Sequence, residues 1–306
     1  MTKQPGQGAD WPQIVGVLGL GIMGSSIARH LVTAGRQVVG YDPDPAQCRK
    51  ARETGVIIVE SPTAAAEQAD LLLSSLPSGQ ALDDVVAAIT SMESRQLDGL
   101  VMVDLSTLSL DCKVNNRDRL AAVGVPLLDC PISGTGAQAA TGDIAIFASG
   151  ASTDWEKCRP VFADFARADH YLGEFGNGTT AKLIANLLVA IHNVATAEAI
   201  VLGERSGLDL TTLCEVIASG GGTSRVFELR SPLMIRDEYE PATMKLDVWQ
   251  KDLDLISEFA TKYGVTTPLF SASSALYESA LADGRGQQDT AAVCSVIRDM
   301  VDRESG

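Results

Sequence analysis

The chain is poor in positive charge, in histidine and in cysteine pairs, and each shortage removes a class of function. Lys and Arg total 24 against 39 Asp and Glu, a formal net charge of -15. Nucleic-acid binding needs basic surface along a phosphate backbone, so nucleic acid is excluded as a partner. The same deficit speaks against docking on an anionic membrane surface. It leaves a small anionic ligand open, because one local basic pocket suffices. The three histidines, His30, His170 and His192, lack H-x-x-x-H spacing and an acidic ligand cluster, which excludes a catalytic zinc site. The six cysteines form no C-x-x-C pair and are too sparse for a disulfide framework, so reduced thiols in a cytoplasmic setting are expected. No run is read as approaching the roughly 18 apolar residues that cross a bilayer. The start, residues 1–12, is rich in Gly, Gln and Pro, lacks the apolar stretch of a signal peptide, and is expected to be a loose tail.

What remains is an ordinary globular composition, 45% hydrophobic and 21% charged, in 306 residues. That length predicts two domains. Short apolar runs at 14–18, 38–41, 56–59, 71–76, 100–105, 126–129, 144–148 and 170–172 alternate with helical segments such as 22–34, 110–122 and 153–165. Most runs are continuous, which suits strands buried on both faces of a doubly wound, mostly parallel sheet. The pattern changes at Gly173-Glu174-Phe175-Gly176-Asn177-Gly178. A helix over about 179–206 follows, apolar on nearly every side and therefore expected to be buried, with Gly207 placed to end it. Helical patterns at 211–218, 244–263 and 268–282 complete an all-α second domain. The expected boundaries are 12–175 for the α/β domain and 176–306 for the helical one.

The first strand runs into Gly19-Leu20-Gly21-Ile22-Met23-Gly24 and then a helix. G-x-G-x-x-G gains force from that context. Gly19 permits the tight turn, Gly21 lets a pyrophosphate approach the backbone, and Gly24 lets helix and strand pack closely. The helix N-terminus then offers free N–H groups to phosphate. The second strand ends at Asp42, about where an acidic residue meets a ribose 2′-hydroxyl and repels a 2′-phosphate. NAD is therefore preferred over NADP, although Asp42 also suits the turn Asp42-Pro43-Asp44-Pro45 on its own.

Hydride transfer to a carbonyl leaves a developing alkoxide that needs a proton or a positive charge. Lys182 is the candidate. It sits just after the glycine-rich hinge on an apolar helix. The helix dipole and partial burial both disfavour its charged form, which would bring its pKa toward working pH. Asn186 is one turn on, and Asn193 falls on the same face. A helix-end lysine reaching solvent fits the pattern equally well. The segment Asp129-Cys130-Pro131-Ile132-Ser133-Gly134-Thr135-Gly136-Ala137 can offer backbone N–H and hydroxyl groups to a carboxylate or be an ordinary strand-to-helix loop.

Together these segments resemble the β-hydroxyacid dehydrogenase family, which includes 3-hydroxyisobutyrate, tartronate semialdehyde and threonate dehydrogenases. The likeness covers about residues 13–300. The glycine signature, the Asp129–Ala137 segment, Gly178-Thr179-Thr180-Ala181-Lys182-Leu183-Ile184-Ala185-Asn186 and Lys251-Asp252-Leu253 look like the family's four motifs, in order. The resemblance implies a Rossmann-type N-terminal domain and an all-α C-terminal domain. It implies Lys182 as general acid/base and Asn186 on the substrate. Ser133, Gly134 and Thr135 would hold a carboxylate. Lys251 would lie near substrate and nicotinamide. Ser106-Thr107 would contact the nicotinamide ribose, and Leu76-Pro77 would wall the cofactor. It further implies a small hydroxy acid or its aldehyde or ketone as substrate, and a homodimer or homotetramer packed through the helical domain.

Thr135 and Leu187 stand where many members carry a second glycine and a second asparagine, which puts the identity of the substrate in doubt. The Ser-Gly-Thr form followed by Gln138 looks closer to the sugar-acid members. Imine reductases share the architecture but typically lack the lysine and favour NADP. A nicotinamide-binding sensor or interaction module without turnover would have no need of Lys182 and Asn186.

Overall fold

In the first half of the chain, residues buried on both sides alternate their side chains across one sheet. The computed structural model describes residues 11–305, with side chains through 303. The strands are β1 (Ile14–Leu18), β2 (Gln37–Tyr41), β3 (Ile57–Ile58), β4 (Leu71–Ser74), β5 (Val101–Asp104), β6 (Leu127–Asp129), β7 (Ile132–Ser133), β8 (Ala145–Ala148) and β9 (Ala168–Tyr171). The helices between them are α1 (Ile22–Thr33), α2 (Pro45–Glu53), α3 (Pro62–Gln68), α4 (Gly79–Thr90), α5 (Leu110–Ala121), α6 (Gly136–Ala140) and α7 (Ser152–Phe162). Six strands form an all-parallel sheet in the order β3-β2-β1-β4-β5-β6. Leu71 and Leu73 face one core with Val101, Val103 and Ile27, while Leu72 and Met102 face the other with Leu82 and Val86. That two-sided burial, about 2 kcal/mol for each large aliphatic side chain, is why the runs read as continuous. Ser61, Ser78 and Ser109 start α3, α4 and α5 by accepting the N–H groups of Ala64, Ala81 and Cys112, so strand-to-helix switches are written locally.

The last expected runs do not join this sheet. They form a second, three-stranded sheet, β7-β8-β9, with β7 antiparallel to β8 and β8 parallel to β9. The expected loose start falls partly on residues 1–10, which lie outside the described residues. Trp11 is described, and it packs against the first core instead of trailing from it.

The second half is helical: α8 (Asn177–Arg205), α9 (Leu210–Ala218), α10 (Arg225–Arg236), α11 (Leu246–Lys262), α12 (Pro268–Ala282) and α13 (Val293–Ser305). No strand is found among its described residues. The chain divides into two compact units, Met1–Lys182 and Leu183–Gly306. The division falls inside α8, beyond the expected boundary at 175, because the first turns of α8 are held by strand residues of the first unit. In the second unit Ala190, Val194, Ala197 and Val201 of α8 share a core with Trp249, Leu253 and Ile256 of α11 and Tyr277 of α12. The helix is not buried all round as expected: Ile184, Leu188 and Leu202 are exposed. By length and composition α8 could cross a membrane, contrary to the sequence reading, but its packing in that core gives the apolar face another cause.

Candidate active site

The turn after β1 is built for a dinucleotide. Gly19 has φ +86, and a Cβ there would lie 2.3 Å from the carbonyl oxygen of Ser75. A Cβ on Gly24 would lie 1.9 Å from the carbonyl oxygen of Gly19, so only glycine lets α1 sit this close to the turn. A Cβ on Gly21 would meet nothing within 4 Å. Gly21 therefore faces open space where a pyrophosphate needs backbone access. It is also the N-cap of α1 with no side-chain cap. Helical bonding begins when Ser25 N–H donates to Gly21 O, leaving the preceding N–H groups for an anion. Leu20 turns its side chain into the core, Met23 packs against that core, and Ile22 is exposed. Asp42, at the end of β2, accepts the Leu20 N–H on Oδ2 at 2.7 Å and the Asp44 N–H on Oδ1 at 2.8 Å. These residues fit a nicotinamide dinucleotide.

After β4, Leu76 N–H donates to Ser106 Oγ at 2.9 Å, and Pro77 is exposed beside it. The Ser106 hydroxyl, expected at the ribose, is turned inward. It is 5% exposed and donates to Asp104 Oδ1 at 2.7 Å, so its single proton is committed to a buried carboxylate. Its neighbour Thr107 is half-buried.

Ser133 closes β7 opposite Ala145. Gly134 follows with φ +144, and a Cβ there would come within 2.7 Å of the Ile144 side chain. Thr135, expected at the carboxylate, caps the helix that follows. Its N–H donates to Gln138 Oε1 at 3.0 Å, and its hydroxyl accepts the Gln138 N–H at 3.4 Å, a reciprocal cap of α6. Gln138 is held in turn by Asp143, which Arg167 pairs. Ser133 and Gly134 thus precede a locked turn.

The start of α8 is fastened to strand ends. Ser149 Oγ accepts the N–H groups of Gly176 and Gly178 at 3.2 and 2.9 Å. Asp129 Oδ2 accepts the Thr179 N–H at 2.7 Å, and Oδ1 accepts the Thr179 hydroxyl at 2.7 Å. Gly178 permits the approach, since a Cβ would lie 2.3 Å from Phe147 O. Lys182 follows by three residues and is only 9% exposed, so the solvent-reaching alternative fails.

In the second unit Asn186 is 4% exposed, and its amide donates to Asp252 Oδ2 at 2.9 Å. Lys251 Nζ lies 3.1 Å from Asp252 Oδ1. Asp252 thus organises two of the expected residues, a part that sequence reasoning quoted in a motif but did not assign. The available signal was its place beside Lys251 on an amphipathic helix. Asn193 is engaged elsewhere: its amide donates to Tyr277 OH and Thr290 O, tying α8 to α12.

A family model for the NAD binding domain of 6-phosphogluconate dehydrogenase matches residues 14–174. A model described as NAD-binding of NADP-dependent 3-hydroxyisobutyrate dehydrogenase matches residues 176–297. The chain is 30% identical to an L-threonate dehydrogenase of Pectobacterium atrosepticum, over 92% of this chain and 93% of that one. It is 28% identical to the chloroplastic glyoxylate/succinic semialdehyde reductase 2 of Arabidopsis thaliana, over 95% and 81%. Among solved structures, a 3-hydroxyisobutyrate dehydrogenase of Mycobacterium tuberculosis with L-serine superposes with a TM-score of 0.84 at 27% identity, covering 94% of this chain and 99% of that one.

Proposed function

We propose, since this chain belongs to the β-hydroxyacid dehydrogenase family, that it oxidises a small sugar-acid-like hydroxy carboxylate with NAD, using Lys182 as the proton acceptor. The enzyme is an NAD(P)-dependent oxidoreductase of hydroxy acids, and the reading as an imine reductase is set aside. One observation carries the role of Lys182: a lysine buried to 9% exposure, one turn before a buried asparagine on α8, in the matching family segment.

In this reading the Ser133 hydroxyl and the Gly134 N–H receive the substrate carboxylate. The Asn186 amide, oriented by Asp252, holds the hydroxyl side of the substrate. Lys182 Nζ takes the hydroxyl proton during oxidation and returns it to the carbonyl oxygen during reduction. A bound nicotinamide supplies the hydride acceptor or donor. The NAD preference is supported by Asp42, whose carboxylate is fixed by two backbone N–H groups and would repel a 2′-phosphate. The sugar-acid preference is supported by the capped Thr135–Gln138 turn and by the threonate dehydrogenase relatives. Exposed Ile184, Leu188 and Leu202 on α8 support a homodimer through the helical domain. Six free thiols support a reducing, cytoplasmic setting.

The test follows nicotinamide absorbance with threonate, glycerate, 3-hydroxyisobutyrate and 4-hydroxybutyrate and the matching carbonyl compounds, each with NAD and NADP. Wild type and Lys182→Ala run side by side. Turnover of threonate or glycerate that Lys182→Ala abolishes is the expected result. Near-normal turnover by Lys182→Ala overturns the assignment.

A further inference from the structure

A group of buried charges outside the roles above lies at the C-terminal ends of β5 and β6. Asp104 and Asp129 stand opposite each other in register. Lys113, from α5, puts Nζ 2.7 Å from Asp129 Oδ1 and 2.9 Å from Asp104 Oδ2, and all three side chains are fully buried. One ammonium against two carboxylates is poor evidence of stabilisation, because apolar replacements of buried ion clusters are often neutral or better. The cluster instead has two outward links, one at each end.

At one end Asp104 Oδ1 accepts the hydroxyls of Ser74 and Ser106 at 2.8 and 2.7 Å, and Ser106 Oγ accepts the Leu76 N–H. That end fixes the backbone at the expected cofactor wall. At the other end Asp129 accepts both donors of Thr179, in the first turn of α8. A carboxylate there also suits the positive end of the helix. Every link from Leu76 to Thr179 is between 2.7 and 2.9 Å. The whole path lies in the first unit, which ends at Lys182.

We propose that Asp104, Lys113 and Asp129 form a positioning brace that fixes the register of Lys182 against the cofactor wall. None of the three is a catalytic residue, since none is exposed to substrate. The brace acts through Thr179 on one side and Ser106 on the other. The proposal rests on the proton-transfer role given to Lys182 above. Hydride and proton transfer tolerate little misplacement, and an error near 1 Å can cost about a hundredfold in rate.

Thr179→Val is the sharpest probe. It keeps size and N–H and deletes only the hydroxyl bond to Asp129, so the fold is retained. Thr179→Ser restores that bond. The measurements are kcat, KM for hydroxy acid and cofactor, NADH binding by fluorescence, and Tm. Thr179→Val is expected to lose about tenfold in kcat, with NADH affinity within about twofold, and Thr179→Ser to regain most of the loss. Asp129→Asn should show the same split more severely. A Thr179→Val kcat within about twofold of wild type overturns the brace. So does a loss that Thr179→Ser does not repair. Lys182→Ala separates the two ideas: if it stays active, the proton-transfer reading falls. If it is inactive while Thr179→Val is normal, only the brace falls.

Discussion

Leu20 donates its backbone N–H to Asp42 Oδ2 at 2.7 Å, across 22 residues of sequence. The bond ties the glycine turn to the end of β2, so one carboxylate sets the shape of that turn and, in the proposed NAD complex, the charge beside the ribose. Asp42→Ala should therefore raise the KM for NAD by tenfold or more, a charged hydrogen bond being worth about 1.5–3 kcal/mol. NADP should lose less, because removing the carboxylate also removes its repulsion of a 2′-phosphate. Steady-state kinetics with both cofactors check this. An unchanged NAD-to-NADP ratio of kcat/KM refutes the role of Asp42 in cofactor choice.

Two glycines of the turn should fail in different ways. A Cβ at Gly24 would lie 1.9 Å from Gly19 O, so Gly24→Ala must push α1 off the turn and lower Tm. Overpacking of this kind costs about 1–3 kcal/mol and sometimes more. A Cβ at Gly21 meets nothing within 4 Å, so Gly21→Ala should melt like wild type yet bind NADH at least about tenfold more weakly. Equal NADH affinity in Gly21→Ala would place the pyrophosphate elsewhere.

The glycine turn was legible from its spacing within one β-turn-α unit, where Gly24 answers to Gly19, although Gly19 itself is held to glycine by Ser75 after β4. The length of α8 was legible for a similar reason, since 29 residues carry their own pattern. Helix α10 escaped because Pro232 interrupts its pattern, although its flanking caps at Ser224 and Asp237 hold it. Strand β7 escaped because two residues between Pro131 and Gly134 carry no period. The inward turn of Ser106 rests on Asp104, two residues away but buried by the sheet, and the burial of Lys113 rests on Asp104 and Asp129 at the ends of two strands. In sequence Lys113 is one polar residue of a polar helix. The one available sign was that two neighbouring buried strands both end in aspartate, which calls for a cation between them.

Lys113 also gives a pH signature. Burial alone would push its ammonium pKa down, but the adjacent Asp104 and Asp129 charges outweigh burial and raise it. A raised folded-state pKa contributes stability that is fully present below the unfolded lysine value, near 10.4. That stability is lost as pH rises through the higher folded value. Lys113→Met, which leaves two buried carboxylates unpaired, should cost about 3–5 kcal/mol. In wild type the Lys113 contribution should be fully present at about pH 7 to 9 and be lost only in stronger alkali. Urea unfolding at stepped pH measures it. A Lys113→Met protein as stable as wild type at about pH 8 refutes the need of the two carboxylates for this cation.

The apolar face of α8 carries the proposed dimer. Leu188 and Leu202 are 47% and 70% exposed in the single chain. Leu188→Glu with Leu202→Glu should convert a dimer to a monomer in light scattering while leaving far-ultraviolet circular dichroism unchanged. Wild type that scatters as a monomer at micromolar concentration would remove that assignment.

Asp252 supplies the last test, because it joins Asn186 and Lys251 through opposite oxygens of one carboxylate. Asp252→Asn removes the charge that holds Lys251 and allows the Asn186 amide to turn over. If Asn186 holds the substrate, the KM for the hydroxy acid should rise by about tenfold or more, the value of one charged hydrogen bond. NADH affinity, measured beside it, should fall less than hydroxy-acid affinity, because Lys251 keeps its own charge. Asp252→Glu reaches too far by one methylene, so it should keep the charge for Lys251 yet restore little of the substrate affinity. A full recovery with Asp252→Glu would mean that the charge on Lys251, not the orientation of Asn186, is what substrate binding depends on.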